Sequence, residues 1–347
     1  MTISNLSQVL ARNIDALEAS DPLIINLPID GFIDEYSQRF KFNTFTYLTT
    51  NFEQYLLAEK HYAHKLKAHF CVEYKSETKH DLVVIAFPKS KTELNFTLAM
   101  IAEQIQPDAR IIVVGENKSG IKSLAKLCKD SLRYCNKLDS ARHCILYSAQ
   151  IVKPLIMFDL ESWYKTYRFS IKGVDIDIAS LPGVFSQKEL DIGTKLLLET
   201  LNDNFNGEVL DFGCGAGVIA SFVGKRNKDT NLTLVDVSAL ALKSAEKTLA
   251  LNGVKAKVKP TNSMSHITER FDYVLSNPPF HQGIKTNYHA TESFLSNIAK
   301  HIKPNGCITI VANSFLKYKP IMEKEIGQTI TLTTQKGFSI HQSFYKR

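Results

Sequence analysis

The 347-residue sequence lacks long hydrophobic runs, closely paired cysteines and the pattern of an export signal. No segment approaches the roughly 18 uninterrupted apolar residues that a membrane helix needs. The six cysteines are scattered without a Cys-x-x-Cys spacing, which argues against zinc sites and disulfide frameworks and predicts reduced, buried thiols and no metal. The first residues show no pattern of an export signal, so a cytoplasmic location is expected.

The composition is that of a globular protein, with 44% hydrophobic and 22% charged residues. Because the chain is longer than one usual domain, two domains of about 150 to 200 residues are expected, each with its own core. The change in pattern near residue 170 predicts a first domain over 1–170 and a second over 171–347.

The formal net charge of +7 is unevenly distributed. Residues 1–180 contain 22 Lys and Arg against 21 Asp and Glu, whereas residues 181–347 contain 20 against 14. A modest basic surplus in the second half is compatible with an anionic polymer substrate, although many proteins of similar pI bind no nucleic acid.

Strands and helices alternate in both halves. In the first, buried strands at 81–87 and 110–115 flank a helix from about 92 to 106, an order that predicts a right-handed parallel unit. In the second, Ser186 is predicted to cap a helix that runs to about Leu201. Strands follow at 231–236, 255–259, 271–276 and 307–312, with a closing antiparallel pair at 330–334 and 337–345. The sequence therefore predicts an α/β protein.

The run from Val209 to Ala220 predicts a nucleotide pocket. Its apolar start suits a buried parallel strand, and it contains an acid and three glycines with a spacing of two: Asp211, Gly213, Gly215 and Gly217. Such glycines permit a tight turn into a helix whose N-terminal amides face a ligand. A dinucleotide fingerprint would have its third glycine where Val218 stands, so a nicotinamide cofactor is disfavoured.

Asp236 supports the same pocket. It ends the next strand, 25 residues after Asp211, where a carboxylate is placed to accept hydrogens from both hydroxyls of a ribose. Its alternative role is an N-cap of the following helix. The glycine spacing resembles the first motif of class I S-adenosylmethionine-dependent methyltransferases, and this resemblance implies that Asn262, after the third strand, contacts the adenine ring.

The segment Ser276-Asn-Pro-Pro-Phe-His281 predicts the catalytic site. Consecutive prolines hold a rigid turn, and a purely structural turn needs no particular residue before them. The side-chain oxygen of Asn277, with the Pro278 carbonyl, is able to accept hydrogens from a planar amino group, and Phe280 is able to stack on a base. His281 would either contact substrate or support the turn.

With these motifs, the chain resembles the bacterial small-subunit (16S) ribosomal RNA guanine-N2 methyltransferases, which are class I S-adenosylmethionine-dependent enzymes. The likeness runs nearly end to end and includes three further segments, Leu181-Pro-Gly-Val-Phe-Ser186, Asn136-Lys-Leu-Asp-Ser-Ala-Arg-His-Cys144 and Val114-Gly-Glu-Asn117. It implies methyl transfer from S-adenosylmethionine to the exocyclic N2 amine of a guanine in 16S ribosomal RNA.

The resemblance also implies two tandem Rossmann-like methyltransferase domains. The first would be a degenerate copy that supports RNA and the partner domain, and the second would be catalytic, with a mostly parallel sheet closed by an antiparallel strand. Phe185 with Ser186 carries over as a loop near the cofactor. For Arg142 and His143 a structural salt bridge or core hydrogen bond is expected, and the protein is expected to be a monomer.

Two other functions remain open. An adenine-N6 or protein-glutamine methyltransferase would use the same Asn-Pro-Pro turn, but such enzymes carry different accessory regions from the α/β first half seen here. A catalytically idle RNA-binding ribosome-assembly factor would keep only the fold, and the intact pairing of Asp236 with Asn277 argues against it.

Overall fold

The computed structural model describes residues 2–152, 157–202, 204–278 and 287–345, without the side chains of residues 287–292. The chain divides into two compact units, Met1–Trp163 and Tyr164–Arg347. The division lies slightly before the boundary expected after residue 170. The reason is that strand 165–171 pairs with strand 174–180, and this hairpin packs on helices of the second unit. None of the described helices has the length and apolar character to cross a membrane.

The first unit is built on a seven-stranded sheet. Its strands are β1 (Pro22–Ile25), β2 (Phe45–Thr49), β3 (Leu66–Phe70), β4 (His80–Ala86), β5 (Ile105–Glu116), β6 (Leu132–Ala141) and β7 (Cys144–Ile151). Its helices are α1 (Asn5–Arg12), α2 (Phe32–Phe40), α3 (Phe52–Tyr62), α4 (Lys91–Ile101) and α5 (Leu124–Leu127). The spatial order is β3-β2-β1-β4-β5-β7-β6, and only β7 runs against the other strands.

Both faces of this sheet are covered. Alternate residues of each central strand enter two separate hydrophobic clusters, Leu23 and Ile25 on one face and Ile24 on the other, for example. This two-sided burial explains why the central strands appear in the sequence as continuous apolar runs rather than alternating ones.

The second unit contains a two-stranded hairpin and a second seven-stranded sheet. Its strands are β8 (Lys165–Ile171), β9 (Val174–Ser180), β10 (Gly207–Phe212), β11 (Thr230–Asp236), β12 (Lys257–Pro260), β13 (Phe271–Ser276), β14 (Ile302–Asn313), β15 (Thr329–Gln335) and β16 (Phe338–Phe344). Its helices are α6 (Ile192–Thr200), α7 (Val218–Arg226), α8 (Ala239–Leu251), α9 (Asn287–Ala299) and α10 (Tyr318–Glu325).

The two large sheets have the same topology. The second has the order β12-β11-β10-β13-β14-β16-β15, which matches the first strand for strand, and only β16 runs against the rest. The predicted fold class is therefore confirmed: two tandem α/β units, each with a mostly parallel sheet closed by an antiparallel strand.

The start of α6 differs from the sequence prediction. Ser186 does not cap a helix; it has a left-handed φ of 57°, whereas an N-cap residue needs extended backbone. The helix begins at Ile192, with Asp191 as N-cap, and the Asp191 carboxylate accepts from the Thr194 N–H at 2.8 Å. The prediction of a helix from Ser186 was wrong because an aspartate five residues later caps the helix instead.

Strand β9 is attached to α8 through a row of polar side chains one helical turn apart. The Leu181 N–H donates to Ser244 Oγ, the Ala179 N–H donates to Thr248 Oγ1, and the Asn252 amide bonds the backbone of Asp177. These side chains satisfy backbone groups of β9 as a neighbouring strand would. They also fix where the chain leaves β9 and enters the loop that contains Phe185.

Two further predictions can be compared with the structure. All six cysteines are free, and four of them are buried. Arg142 and His143 form the exposed turn between β6 and β7, both with left-handed φ. Both are exposed, and neither side chain has an ion pair or a hydrogen bond among the described residues, so the structural salt bridge or core hydrogen bond expected for them is not found; the His143 carbonyl accepts from the Asn117 N–H at 2.8 Å.

Candidate active site

The predicted site residues gather at the carboxyl ends of three adjacent strands. Strand β10 lies between β11 and β13, with Phe212 level with Val235 on one side and with Ser276 on the other. In open parallel sheets this edge is where ligands bind. The register therefore brings the glycine turn, Asp236 and Asn277 to one edge of the sheet.

The glycine turn connects β10 to α7 through three left-handed residues. Gly213, Gly215 and Gly217 have φ values of 67°, 53° and 75°. The N–H groups of Gly213 and Cys214 both donate to the Val235 carbonyl, at 2.9 and 3.1 Å, which attaches the turn to β11. Residues with a Cβ adopt this conformation at a cost, so the spacing of the glycines follows from the path of the turn.

Two of these glycines have different surroundings. A Cβ at Gly215 would meet no atom within 4 Å, whereas a Cβ at Gly217 would lie 3.1 Å from the Cα and Cβ atoms of Ala245. Gly217 thus permits α7 to lie close against α8, and Gly215 borders open space at the edge where a ligand would bind.

Asp236 accepts hydrogen bonds from the backbone with both carboxylate oxygens. Oδ2 accepts from the Gly215 N–H at 3.0 Å, and Oδ1 accepts from the Ser238 N–H at 2.9 Å. Burial raises the pKa of Asp236 although these donors act to lower it. The N-cap of α8 is Ser238, whose Oγ accepts from the Ala241 N–H, so the alternative that Asp236 is the cap was wrong.

Asp211 is fully buried beneath the turn. Its Oδ2 accepts from the Ala220 N–H in the first turn of α7 at 3.0 Å, while its Oδ1 has no hydrogen-bond partner among the described residues. Burial raises the pKa of Asp211 to about 7, and the nearby negative charge of Asp236 adds to the effect. This leaves a buried polar oxygen close to the glycine turn.

Asn277 is held by two residues that sequence reasoning missed. Its Nδ2 donates to Asp191 Oδ2 at 2.9 Å and to Thr194 Oγ1 at 2.8 Å. Because a carboxylate only accepts, the nitrogen faces α6 and Oδ1 is left as an acceptor. The capping pattern Asp191-Ile-Gly-Thr194 was a local signal for the helix start, but nothing local links it to a residue 86 positions away.

The other predicted site residues are less constrained. Asn262 is half-buried just after β12, and its N–H donates to Ser265 Oγ at 3.1 Å. Phe185 is 51% exposed in the loop after β9, and Pro278 is buried beside Asn277. Phe280 and His281 lie outside the described residues. Among the described residues, no cluster of His, Cys, Asp and Glu is suited to hold a metal ion.

Comparison with known proteins gives this arrangement a family. The model of the methyltransferase small domain matches residues 175–342, and that of the methyltransferase small domain N-terminal region matches residues 7–167. The chain is 51% identical to ribosomal RNA small subunit methyltransferase C of Colwellia psychrerythraea, over 99% of this chain and 98% of the relative. The chain belongs to the ribosomal RNA small subunit methyltransferase C family.

Other members of the methyltransferase C family agree. The protein of that name from Pseudoalteromonas translucida is 39% identical over 98% of this chain and 99% of its own length. The structure is similar to that of the T. thermophilus 16S rRNA N2 G1207 methyltransferase in complex with AdoMet and guanosine, with a TM-score of 0.83 and 22% identity, over 99% of this chain and 92% of the other. At that identity the likeness bears on the fold alone.

The first unit of this methyltransferase C family member has the same sheet without the site. Ile25 is level with Leu48 and Ile85, as Phe212 is with Val235 and Ser276. Counting from that register, the counterparts are Asn26 for Gly213, Pro28 for Gly215, Thr49 for Asp236 and Ala86 for Asn277. Thr49 does not supply the carboxylate of Asp236, and Ala86 does not supply the acceptor amide of Asn277.

In the first unit, the side chain of Asp30 lies at the N-terminus of α2. Asp30, which is buried, accepts from the N–H groups of Ser4 and Phe32 at 2.8 and 2.9 Å. The amide of Phe32, the first residue of α2, is thus satisfied internally by a side chain of the same unit. A ligand carboxylate or hydroxyl would have to displace Asp30 to bind there.

Proposed function

We propose that this protein transfers a methyl group from S-adenosylmethionine to the exocyclic N2 amine of a guanine in 16S ribosomal RNA. The observation that carries the proposal is the amide of Asn277, held with Oδ1 as an acceptor at the same strand edge as Asp236. Family membership supports it, since the relatives are named ribosomal RNA small subunit methyltransferase C. The protein is accordingly an S-adenosylmethionine-dependent methyltransferase.

The residues at the glycine turn fit this cofactor, which supplies a methyl group on a sulfonium. Each oxygen of Asp236 accepts one backbone N–H and keeps a lone pair for a ribose hydroxyl. Gly215 leaves open space beside that carboxylate, and Asn262 is assigned to the adenine side. Asp211 Oδ1, which has no hydrogen-bond partner among the described residues, adds a buried polar atom beside the glycine turn. Phe185 and its loop are assigned to the rim of the pocket.

The amine of guanine is assigned to Asn277. Asn277 Oδ1 and the Pro278 carbonyl would accept its two hydrogens and so hold the amine with the lone pair of nitrogen towards the methyl group. The N–CH3 bond would form as the S–CH3 bond breaks, S-adenosylhomocysteine would leave, and the amine would release one proton to solvent. Phe280 stacks on the base, and His281 contacts the substrate or supports the turn. These residues act by position and hydrogen bonding alone.

The partner is 16S ribosomal RNA. The basic surplus of residues 181–347 supports contact with a polyanion, and the first unit, without its own acceptor amide, is assigned to support RNA and the catalytic unit. We place the protein in the cytoplasm. We also propose that it is a monomer, and analytical ultracentrifugation would measure its oligomeric state.

One experiment tests the proposed function. The protein is incubated with methyl-labelled S-adenosylmethionine and, separately, small subunits, large subunits and naked 16S RNA, and the RNA is digested to nucleosides. Label in N2-methylguanosine from small-subunit RNA is the expected result, and Asn277→Ala is the control. Label in N6-methyladenosine or in protein would point to the alternative methyltransferases, and RNA binding without label would point to an idle assembly factor.

A further inference from the structure

We propose that Asp191 and Thr194 are positioning residues for the transfer step, which hold the Asn277 amide in the only orientation that presents an acceptor to the substrate amine. The inference rests on the proposed function of Asn277. It goes beyond that function because it assigns a role in the reaction to the first turn of a helix.

Three polar groups form a closed set. Asn277 Nδ2 donates one hydrogen to Asp191 Oδ2 and the other to Thr194 Oγ1, at 2.9 and 2.8 Å. Thr194 Oγ1 in turn donates to Asp191 Oδ2 at 3.3 Å. Both hydrogens of the amide are therefore used within the protein, and neither is left to meet the incoming amine.

The charge of Asp191 selects the orientation of the amide. If the amide turned by 180°, Asn277 Oδ1 would face Asp191 Oδ2, and two acceptors would lie in contact without a hydrogen between them. The turned amide would also present hydrogens to the substrate amine instead of an acceptor. An amide without these partners would sample both orientations, and only one is productive.

The helix that carries the two residues lies close against the sheet. Thr194 is 7% exposed, and a Cβ at Gly193 would lie 2.8 Å from Val311 and 3.1 Å from Phe338. Only glycine lets the first turn of α6 approach β14 and β16 this closely. In the sequence Asp191-Ile-Gly-Thr194, Asp191 caps the helix, Gly193 permits its close approach to the sheet, and Thr194 provides a second acceptor. Together these residues place both acceptors against Asn277.

The same carboxylate also caps α6, so the test must separate positioning from helix stability. Asp191→Ser keeps a good N-cap but is too short to hold the amide. Thr194→Val keeps the shape of the side chain and removes the acceptor. Thr200→Val makes the same chemical change at the other end of α6, where Thr200 Oγ1 donates to the Leu196 carbonyl of the same helix, and is the matched control.

The measurements are kcat, KM for RNA, affinity for S-adenosylmethionine and melting temperature. We expect kcat to fall about 10-fold to 100-fold in Asp191→Ser and in Thr194→Val, as for the loss of a hydrogen bond that orients a reacting group. KM, cofactor affinity and melting temperature should stay near those of the wild type, and Thr200→Val should be unchanged. Asp191→Asn, which keeps the length and one acceptor, should recover part of the rate.

The same substitutions in the Asn277→Ala background show whether Asp191 and Thr194 affect the reaction through Asn277 or independently of it. There, Asp191→Ser and Thr194→Val should have no further effect on kcat. Unchanged kcat in both single variants, a parallel loss of cofactor affinity, or a further loss in the Asn277→Ala background would overturn the positioning role. If Asp191→Ser does not fold, Thr194→Val decides alone, because it leaves the cap intact. Full activity of Asn277→Ala would instead refute the role of Asn277, and the absence of label in N2-methylguanosine with the wild type would refute the proposed function, so these failures are distinguishable.

Discussion

The backbone N–H of Gly215 donates to Asp236 Oδ2 at 3.0 Å and so joins the glycine turn after β10 to the carboxyl end of β11. The other oxygen of Asp236 accepts from the Ser238 N–H at the start of α8. The carboxylate is thus oriented before any ligand arrives, and a ligand that binds it has little ordering cost to overcome.

Removal of the Asp236 carboxylate should weaken cofactor binding. Asp236→Ala loses two charge-assisted hydrogen bonds to the ribose, so we expect affinity for S-adenosylmethionine to fall by at least about 100-fold. Calorimetric titration measures it, with Asp229→Ala, at an exposed acid before β11, as control. Unchanged affinity in Asp236→Ala would remove Asp236 from the ribose site.

Substitutions at three left-handed glycines should separate binding from stability. Gly215→Ala and Gly253→Ala both place a Cβ in open space at positive φ, so each should lower the free energy of unfolding by about 1–2 kcal/mol. Only Gly215→Ala should also weaken cofactor binding, because its methyl group enters the space beside Asp236. Gly217→Ala should destabilise more than either, since its Cβ would meet Ala245 at 3.1 Å. Equal loss of cofactor affinity in Gly215→Ala and Gly253→Ala would contradict this assignment.

Loss of the Asn277 amide should affect transfer rather than cofactor binding. Asn277→Ala should retain affinity for S-adenosylmethionine and lose most of the transfer in a labelled-methyl assay, by about 100-fold or more. Asn277→Asp should be less stable than Asn277→Ala at neutral pH, because it sets a second carboxylate against Asp191. Full transfer by Asn277→Ala would exclude the residue from the reaction.

The buried Asp211 should make stability depend on pH. Burial raises the pKa of Asp211 to about 7, so the unfolded chain releases this proton above about pH 4 while the folded protein keeps it until about pH 7. This group therefore lowers the free energy of unfolding as pH rises through that window, by up to about 4 kcal/mol. The melting temperature of Asp211→Asn minus that of the wild type should increase from pH 5 to about pH 7 and then level off. A difference that does not change with pH would show that Asp211 keeps an ordinary pKa.

RNA binding should weaken as salt rises. A basic surface releases counterions from the phosphates it contacts, so the logarithm of affinity should fall linearly with the logarithm of salt concentration. Filter binding of 16S RNA fragments between about 50 and 200 mM salt measures the slope. An affinity independent of salt would indicate a substrate that is not a nucleic acid.

Much of the fold could be predicted because its signals are local. Buried parallel strands such as β4, with its apolar run over 82–86, are continuous apolar segments, and Ser238 is a cap directly before a helical pattern. The α/β class and a right-handed parallel unit followed from the alternation of strands and helices, and the tandem domains followed from the family resemblance. The start of α6 could not be predicted, because Ser186 and Asp191 are both good caps by residue type. The choice between them depends on the path of the loop and on how closely Gly193 lets α6 approach the sheet.

The sequence by itself determined the glycine turn, the acid after β11 and the position of Asn277 and Pro278 after β13, because each depends on residues adjacent along one strand end. Only the tertiary structure decided that Asp191 and Thr194 hold Asn277, that Gly217 packs α7 against α8 and that Asp211 Oδ1 has no hydrogen-bond partner in the described part of the chain. These relationships join residues that are far apart in the chain. They depend on distances of a few ångströms that are set when helices pack on the sheet, and residue order alone does not encode such distances.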